Sequence, residues 1–312
     1  MMQFLIFIVG LVGLWLGTKW VVKSTIGIAE RFNLSHAFVG LAILAVGTDL
    51  PEVFVSFKAA FLQLNGIESS GIITGNAIGS SISQISIILG LAGLFMNFTI
   101  TKKELLRDGI ALLASIAVLF AVAYDGSISK IDGIILLLAY LFYYVVLLKS
   151  NSSTAYDNAS QEPLSNFKLA SYLLLGFVVL IFSSHLVVEN AMYFAQKWGV
   201  EQSFVGIVLI GLGTSLPELA VSIGAAMKKS AGISVGNIIG SNIFDTLIPI
   251  GIGGSITKIS MESNLLKFDL PILFAITLLV ILFLATKKGI SKREAIALIA
   301  LYLIYVLVKI FL

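Results

Sequence analysis

Phe38–Ser56 reads FVGLAILAVGTDLPEVFVS, and Phe204–Ser222 reads FVGIVLIGLGTSLPELAVS. Ten of the 19 aligned positions are identical, and most of the others exchange one aliphatic residue for another. The similarity continues downstream: residues 75–80 are GNAIGS and residues 236–241 are GNIIGS. Ile128-Ser129-Lys130 is echoed by Ile290-Ser291-Lys292. Apolar segments resemble one another readily by chance, but G-T-x-L-P-E followed by G-N-x-I-G-S does not recur that way. The chain is an internal duplication.

Around these motifs the sequence is overwhelmingly apolar. Of 312 residues 58% are hydrophobic and 12% charged, about half the roughly 25% charged content of soluble domains. Mean hydropathy is +1.03. A soluble domain of this size needs a large polar surface, which this composition cannot supply. The fold class is an all-α membrane protein. A spanning helix takes about 20 apolar residues, and about ten segments qualify: 3–23, 37–62, 71–96, 106–124, 131–149, 168–194, 203–227, 232–257, 268–286 and 292–311. A β-barrel would instead show short alternating runs. The run from Phe4 to Val22 exceeds a signal-peptide core and reads as a retained helix.

The clearly polar stretch 150–166 lies near the midpoint and reads as a linker. It divides the chain into five-helix repeats at 1–149 and 167–312. Five is odd, so the second repeat enters from the opposite face, giving the inverted-topology architecture of many secondary transporters. Six basic residues fall on the N-terminal side (Lys58, Lys130, Lys197, Lys258, Lys267, Lys309), and the other fourteen fall opposite. The richer side is cytoplasmic, which places both termini and the chain itself in a cell membrane with the ends extracellular.

Net charge is +3, and no basic run of nucleic-acid type occurs. The cysteine count is zero and only His36 and His185 are histidine, against disulfide, thiolate and zinc chemistry. H-E-x-x-H and G-x-S-x-G are absent. An intramembrane aspartyl-protease pair of Asp49 and Asp245 would leave both glutamates, both prolines and the duplication unexplained, so the reading is not an enzyme. The bilayer is the implied surrounding; no cofactor or protein partner is implied.

An acid inside a spanning segment costs at least about 2.5 kcal/mol on insertion scales. Asp49, Glu52, Glu218 and Asp245 all lie in such segments, and neither repeated motif contains lysine or arginine. An exchangeable cation is the partner this implies. Pro51 and Pro217 cannot bond the carbonyls of Gly47 and Gly213, freeing backbone oxygen one turn from a glutamate. Such backbone is tolerated at membrane depth where it lines a cavity. Thr48 and Thr214 sit four residues before the glutamates, on the same face. Asn76, Ser80 and Gln84 form one polar stripe, and Asn237, Ser241 and Asp245 form another. This is an all-oxygen set suited to Ca²⁺ or Na⁺, although helix–helix hydrogen bonding would also use the Ser and Asn residues. Asp49 reads either as a ligand or as a cavity wall. Tyr140, Phe142, Tyr143 and Tyr144 read as lipid-facing or as a headgroup belt.

GTDLPE, GTSLPE, GNAIGS and GNIIGSNIFD resemble the paired alpha-repeats of the sodium/calcium exchanger family, in its short archaeal and bacterial form, over nearly the whole chain. The resemblance implies Ca²⁺ extrusion driven by Na⁺ entry, through alternating access in which two helices slide over an eight-helix core. By position it implies Ca²⁺ at Glu52 and Glu218 with Thr48 and Thr214, and Na⁺ at flanking sites lined by Ser80, Ser215, Ser241 and Asp245. Two positions depart from the family pattern: Asp49 stands where Ser is common, and Gln84 where Asn is common. The extra carboxylate leaves Ca²⁺/H⁺ and K⁺-dependent exchange as alternatives. A Ca²⁺ channel is the alternative of a different class.

Overall fold

The structure is a computed structural model that describes residues 2–31, 45–95, 102–150, 165–227, 231–287 and 289–311. Residues 38–44 of the first motif, His36, the Asn151-Ser152-Ser153 sequon and most of the expected linker lie outside the described residues. Nearly everything described is helical. The first half runs α1 (Met2–Arg31), α2 (Ala45–Thr48), α3 (Leu50–Leu64), α4 (Ser70–Phe95), α5 (Lys102–Val122) and α6 (Lys130–Ser150). The second runs α7 (Asn166–Trp198), α8 (202–214), α9 (Leu216–Met227), α10 (Ala231–Ile256), α11 (Leu270–Lys287) and α12 (Lys292–Ile310). Eight stretches among the described residues are long and apolar enough to cross a membrane. Two expected segments are not among them: residues 38–44 of the segment that includes α2 and α3 lie outside the described residues, and α12 carries Lys292, Arg293, Glu294 and Lys309.

Packing places the two small-residue helices in the middle. α4 and α10 contact each other and are buried along most of their length. α3 lies against α10 and α4, α8 against α4, and α9 against α10. The outer helices pair in matching fashion: α6 on α10, α12 on α4, and α5 on α11. α1 and α7 pack chiefly on each other. Gly13 and Gly17 of α1 lie against Ser183, Gly176 and Leu180 of α7, so the backbones approach closely. Outward faces remain apolar, with Phe142, Phe167 and Phe182 largely exposed, as lipid contact requires.

Several connections contact one another. β1 (Ser127–Ile128), between α5 and α6, pairs antiparallel with β2 (Ile259–Ser260), which follows α10. Ser260 N–H donates to Ser70 Oγ at 3.1 Å, and Met261 N–H donates to Gly126 O at 2.9 Å. Gln202 Nε2 donates to Glu68 O at 2.8 Å, and Ser203 hydrogen-bonds Glu262. The segments after α3, α5, α7 and α10 therefore gather at one end of the bundle.

Lys309, one of the six basic residues read on the N-terminal side, has a fixed partner. It is buried at the end of α12, where Nζ meets Asp269 Oδ2 at 2.6 Å, and Tyr305 OH donates to Asp269 Oδ1 at 2.7 Å. A charge that near a bilayer core needs a fixed partner, and Asp269 provides it.

Candidate functional site

The repeated motif breaks its helix. After Thr48 the chain turns at Asp49 (φ −83°, ψ 6°), and after Thr214 at Ser215 (φ −80°, ψ 10°). Each proline then sits near the start of the next helix, where its missing N–H is harmless. Glu52 and Glu218 consequently occupy the first turns of α3 and α9, not helix interiors. A helix N-terminus favours a carboxylate by about 0.3–1 kcal/mol, up to ~2 when partly buried. That falls short of the cost of burying a carboxylate. Gly213 O is not wholly freed, because Ser215 N–H turns back toward it. Gly47 is buried beside the turn, and Gly213 packs on Leu11 of α1.

Glu52, Glu218, Asp49 and Asp245 are all completely buried. Glu52 faces Ser80, Thr214 and Ser215. Ser80 Oγ donates to Glu52 Oε1 at 3.3 Å and lies 3.3 Å from Thr214 Oγ1. Thr214 in turn reaches Asn76 Oδ1 at 3.3 Å, and Asn76 Nδ2 donates to the Glu52 carbonyl at 3.2 Å. On the opposite side Asp49 faces Glu218 and Ser241. Gln84 Nε2 donates to Asp245 Oδ2 at 2.7 Å. Thr48 is buried next to the Asp49 turn. Asn237 bonds Ser222 at 3.4 Å, mirroring Asn76 on Ser56 at 3.5 Å, and sits about two turns before Asp245 on α10.

Both oxygens of Asp49 and of Glu218, Glu52 Oε2, Asp245 Oδ1 and Ser241 Oγ are buried without a hydrogen-bond donor. None of the ion pairs among the described residues involves these acids. No three acidic or histidine side chains among the described residues cluster tightly enough to hold a metal alone, so hydroxyl, amide and carbonyl oxygens must complete any coordination shell.

Several participants were not apparent in the sequence. A π-turn at Gly206–Gly211 presents Gly211 O, which accepts from Ser80 (3.1 Å) and Ser215 (2.8 Å). A second π-turn spans Gln84–Ile88. Such turns leave no mark in hydrophobic periodicity. Ser56 and Ser222 close each motif and could have been found from the repeat. Tyr140 corrects the lipid-facing reading of its cluster: its ring packs edge-on against Phe244 of α10 (centroids 5.2 Å), on the side of Asp49 and Asp245. Phe142 does face outward.

A profile of the sodium/calcium exchanger protein family matches residues 2–149 and 168–311. The chain belongs to the sodium/calcium exchanger family. The sodium/calcium exchanger MaX1 of Methanosarcina acetivorans is 28% identical, over 98% of each chain. The membrane protein MJ0091 of Methanocaldococcus jannaschii is 31% identical, over 96% of this chain and 95% of its own. A solved structure of the sodium-calcium exchanger NCX_Mj, soaked with Na⁺ and Sr²⁺, superposes with a TM-score of 0.69 at 30% identity, covering 98% of both chains. As an exchanger of this family, the chain is a multi-pass membrane transporter of cations and not an enzyme. Ca²⁺ and Na⁺ are substrates in such a protein, and no cofactor is indicated.

Proposed function

We propose that this exchanger moves Ca²⁺ against Na⁺ by alternating access, with both ions competing at the site between α3 and α9. The observation that carries this reading is the set of buried, donor-free oxygens on Glu52 and Glu218. Ca²⁺ takes oxygen ligands in number and tolerates irregular geometry. Glu52, Glu218, Thr48 and Thr214 form its shell. Na⁺ takes flanking positions at Ser80 and Ser215 on one side and at Ser241 and Asp245 on the other, with Asn76, Asn237 and Gln84 holding the ligands in place. An empty site keeps uncompensated buried charge, which disfavours passage between states and couples the two fluxes.

The energetics suit several Na⁺ per Ca²⁺. Each tenfold Ca²⁺ gradient requires about 1.4 kcal/mol, and each net charge moving down 100 mV supplies about 2.3 kcal/mol. The moving unit is α1 with α7, a reading supported by their packing chiefly on each other across glycines. The matched pairing of α6 on α10 and α12 on α4 supports two inverted repeats joined by a cytoplasmic linker. The protein sits in the cell membrane with both termini outside.

Glu52→Gln and Glu218→Gln should each abolish radiolabelled Ca²⁺ uptake into Na⁺-loaded vesicles; near-normal uptake by either variant overturns the assignment. The same vesicles with imposed K⁺ or pH gradients separate Na⁺-driven from K⁺-dependent or H⁺-driven exchange. Ca²⁺ flux without any counter-ion gradient would mean a channel. The chain has no native cysteine, so Ser127→Cys tests orientation directly. A membrane-impermeant thiol reagent should label it in intact cells.

A further inference from the structure

The end of the bundle where the connections gather carries a carboxyl pair that the ion site does not use. Glu262 is half-buried in the connection after α10 and hydrogen-bonds Ser203 at the start of α8. The Glu201 carboxyl stands within hydrogen-bonding reach of Glu262. Asn264 Nδ2 donates to Glu201 Oε2 at 3.2 Å and fixes its position. The connection after α3 joins through Gln202, whose Nε2 donates to Glu68 O at 2.8 Å. A Cβ at Gly71 would strike Glu262 Oε1, Gln202 Cβ and Ser203 N, so α4 also presses on this cluster. Of the groups packed on Glu262 (Glu201, Gln202, Ser203 and Gly71), Glu201 alone is titratable. The nearby Glu68 carboxylate is occupied by Ser70 N–H at 3.0 Å and Gln63 Nε2 at 3.1 Å.

α8 runs from this cluster to the ion site. Ser203 lies at its start, and Gly211 O, which accepts from Ser80 and Ser215, lies in its π-turn. Between them α8 rests on the glycine face of α4. A Cβ at Gly75 would lie 2.5 Å from Ser203 O, and one at Gly79 would lie 2.5 Å from Ile207 Cα. Backbone against glycine interlocks few side chains, so the polar contacts at the two ends of this strip weigh heavily in where α8 sits.

Two ionised carboxylates in contact repel, whereas one proton held between them supplies a strong hydrogen bond. We infer that Glu201 and Glu262 form a proton-operated latch on α8. With a proton shared between them, the start of α8 is held against the neighbouring connections; with both ionised, it is released. The latch restrains α8, and with it Gly211 O, and so slows exchange. Burial and the neighbouring Glu201 raise the Glu262 carboxyl above its ordinary 4.5, so release falls above that pH.

The test reads the latch and transport separately, because only transport rests on the proposed alternating access at the carboxylate centre. Hydrogen exchange of residues 202–211 is followed in the purified full chain from about pH 5 to about pH 8, corrected for the intrinsic rate. Residues 231–256 serve as the internal reference. Wild-type protection of 202–211 should fall several-fold as pH rises. Glu262→Gln keeps an acceptor for Ser203 and gains a donor to Glu201, and Glu201→Gln gains a donor to Glu262. Each should stay protected throughout. Protection that is constant with pH in the wild type, or a pH dependence that survives either variant, overturns the latch. For transport, radiolabelled Ca²⁺ uptake by Na⁺-loaded vesicles is measured with pH varied on the outer side alone. The ratio of wild-type to Glu262→Gln rates cancels the titration of the ion-site carboxylates, which both proteins share. It should be about threefold or more at neutral pH, the worth of one hydrogen bond. It should fall toward unity as outer pH approaches 4.5. A ratio of unity at every pH overturns the proposal by removing its coupling to transport. Uptake that survives Glu52→Gln instead overturns the reading of the carboxylate centre, a separate failure.

Discussion

Thr214 shows how one hydroxyl joins the two halves of the site. Its Oγ1 bonds Ile210 O within its own helix at 3.0 Å and reaches Asn76 and Ser80 across the interface at 3.3 Å each. Thr214→Val keeps the shape and removes those contacts, leaving Asn76 Oδ1 buried without its partner. Loss of one buried hydrogen-bonding group costs about 1–3 kcal/mol, so Ca²⁺ affinity should fall about tenfold. The Ca²⁺ dependence of uptake at matched expression checks this, and unchanged affinity would remove Thr214 from the shell. Asp49 makes the opposite point. It is as buried as Thr214, yet it faces a second carboxyl, Glu218, with the Ser241 hydroxyl beside it. Residue types and spacing identified both positions; which side of the centre each one faces came from the fold.

At the level of elements, close approach between α4 and α8 sets the site's dimensions. A Cβ at Gly211 would lie 2.6 Å from Ser80 N and 2.7 Å from Gly79 C, backbone atoms that cannot swing aside. Gly211→Ala should therefore force the helices apart, cost about 1–3 kcal/mol by overpacking, and lower both melting temperature and uptake. Gly109→Ala is the control, since its nearest neighbour is 3.5 Å away. Gly236 and Gly240 meet nothing within 4 Å among the described residues; the stretch the repeat would set against them, 38–44, lies outside these.

A second element-scale prediction concerns the connections gathered at one end of the bundle. Burial pushes the Glu262 carboxyl above its ordinary 4.5, the Ser203 hydrogen bond opposes this, and Glu201 adds to it. A carboxyl raised by folding stabilises the folded state most when protonated, below its unfolded value. That contribution is lost as pH climbs through the folded value. Glu262→Gln mimics the protonated form, so it should raise the melting temperature at neutral pH, with the difference vanishing as pH falls toward 4.5. A difference that persists at low pH would contradict this.

For the whole molecule, the buried Lys309–Asp269 pair ties the end of α12 to the π-turn Leu265–Asp269 that opens α11. Lys309→Met should cost about 3–5 kcal/mol by stranding Asp269, whereas Lys309→Met with Asp269→Leu should be close to neutral. Thermal unfolding in detergent measures both; equal losses would mean the pair is not the reason for the cost. The sequence could not expose this contact. Lys309 and Asp269 are 40 positions apart, in different helices, and a terminal lysine reads equally well as a topology signal.

Taken alone, the sequence determined that the chain is a helical membrane protein, that its halves are duplicates, and that Glu52, Glu218, Asp49 and Asp245 must be answered by something other than a fixed base. Those conclusions follow from composition and local covalent pattern: the bilayer taxes every apolar deficit and buried charge residue by residue, and proline removes its own hydrogen bond wherever it stands. Tertiary structure alone decided which oxygens meet. The helix breaks at Asp49 and Ser215, the π-turn that delivers Gly211 O and the inward turn of Tyr140 arise from backbones brought together in the fold, and spacing along one chain holds no information about a distance between two segments.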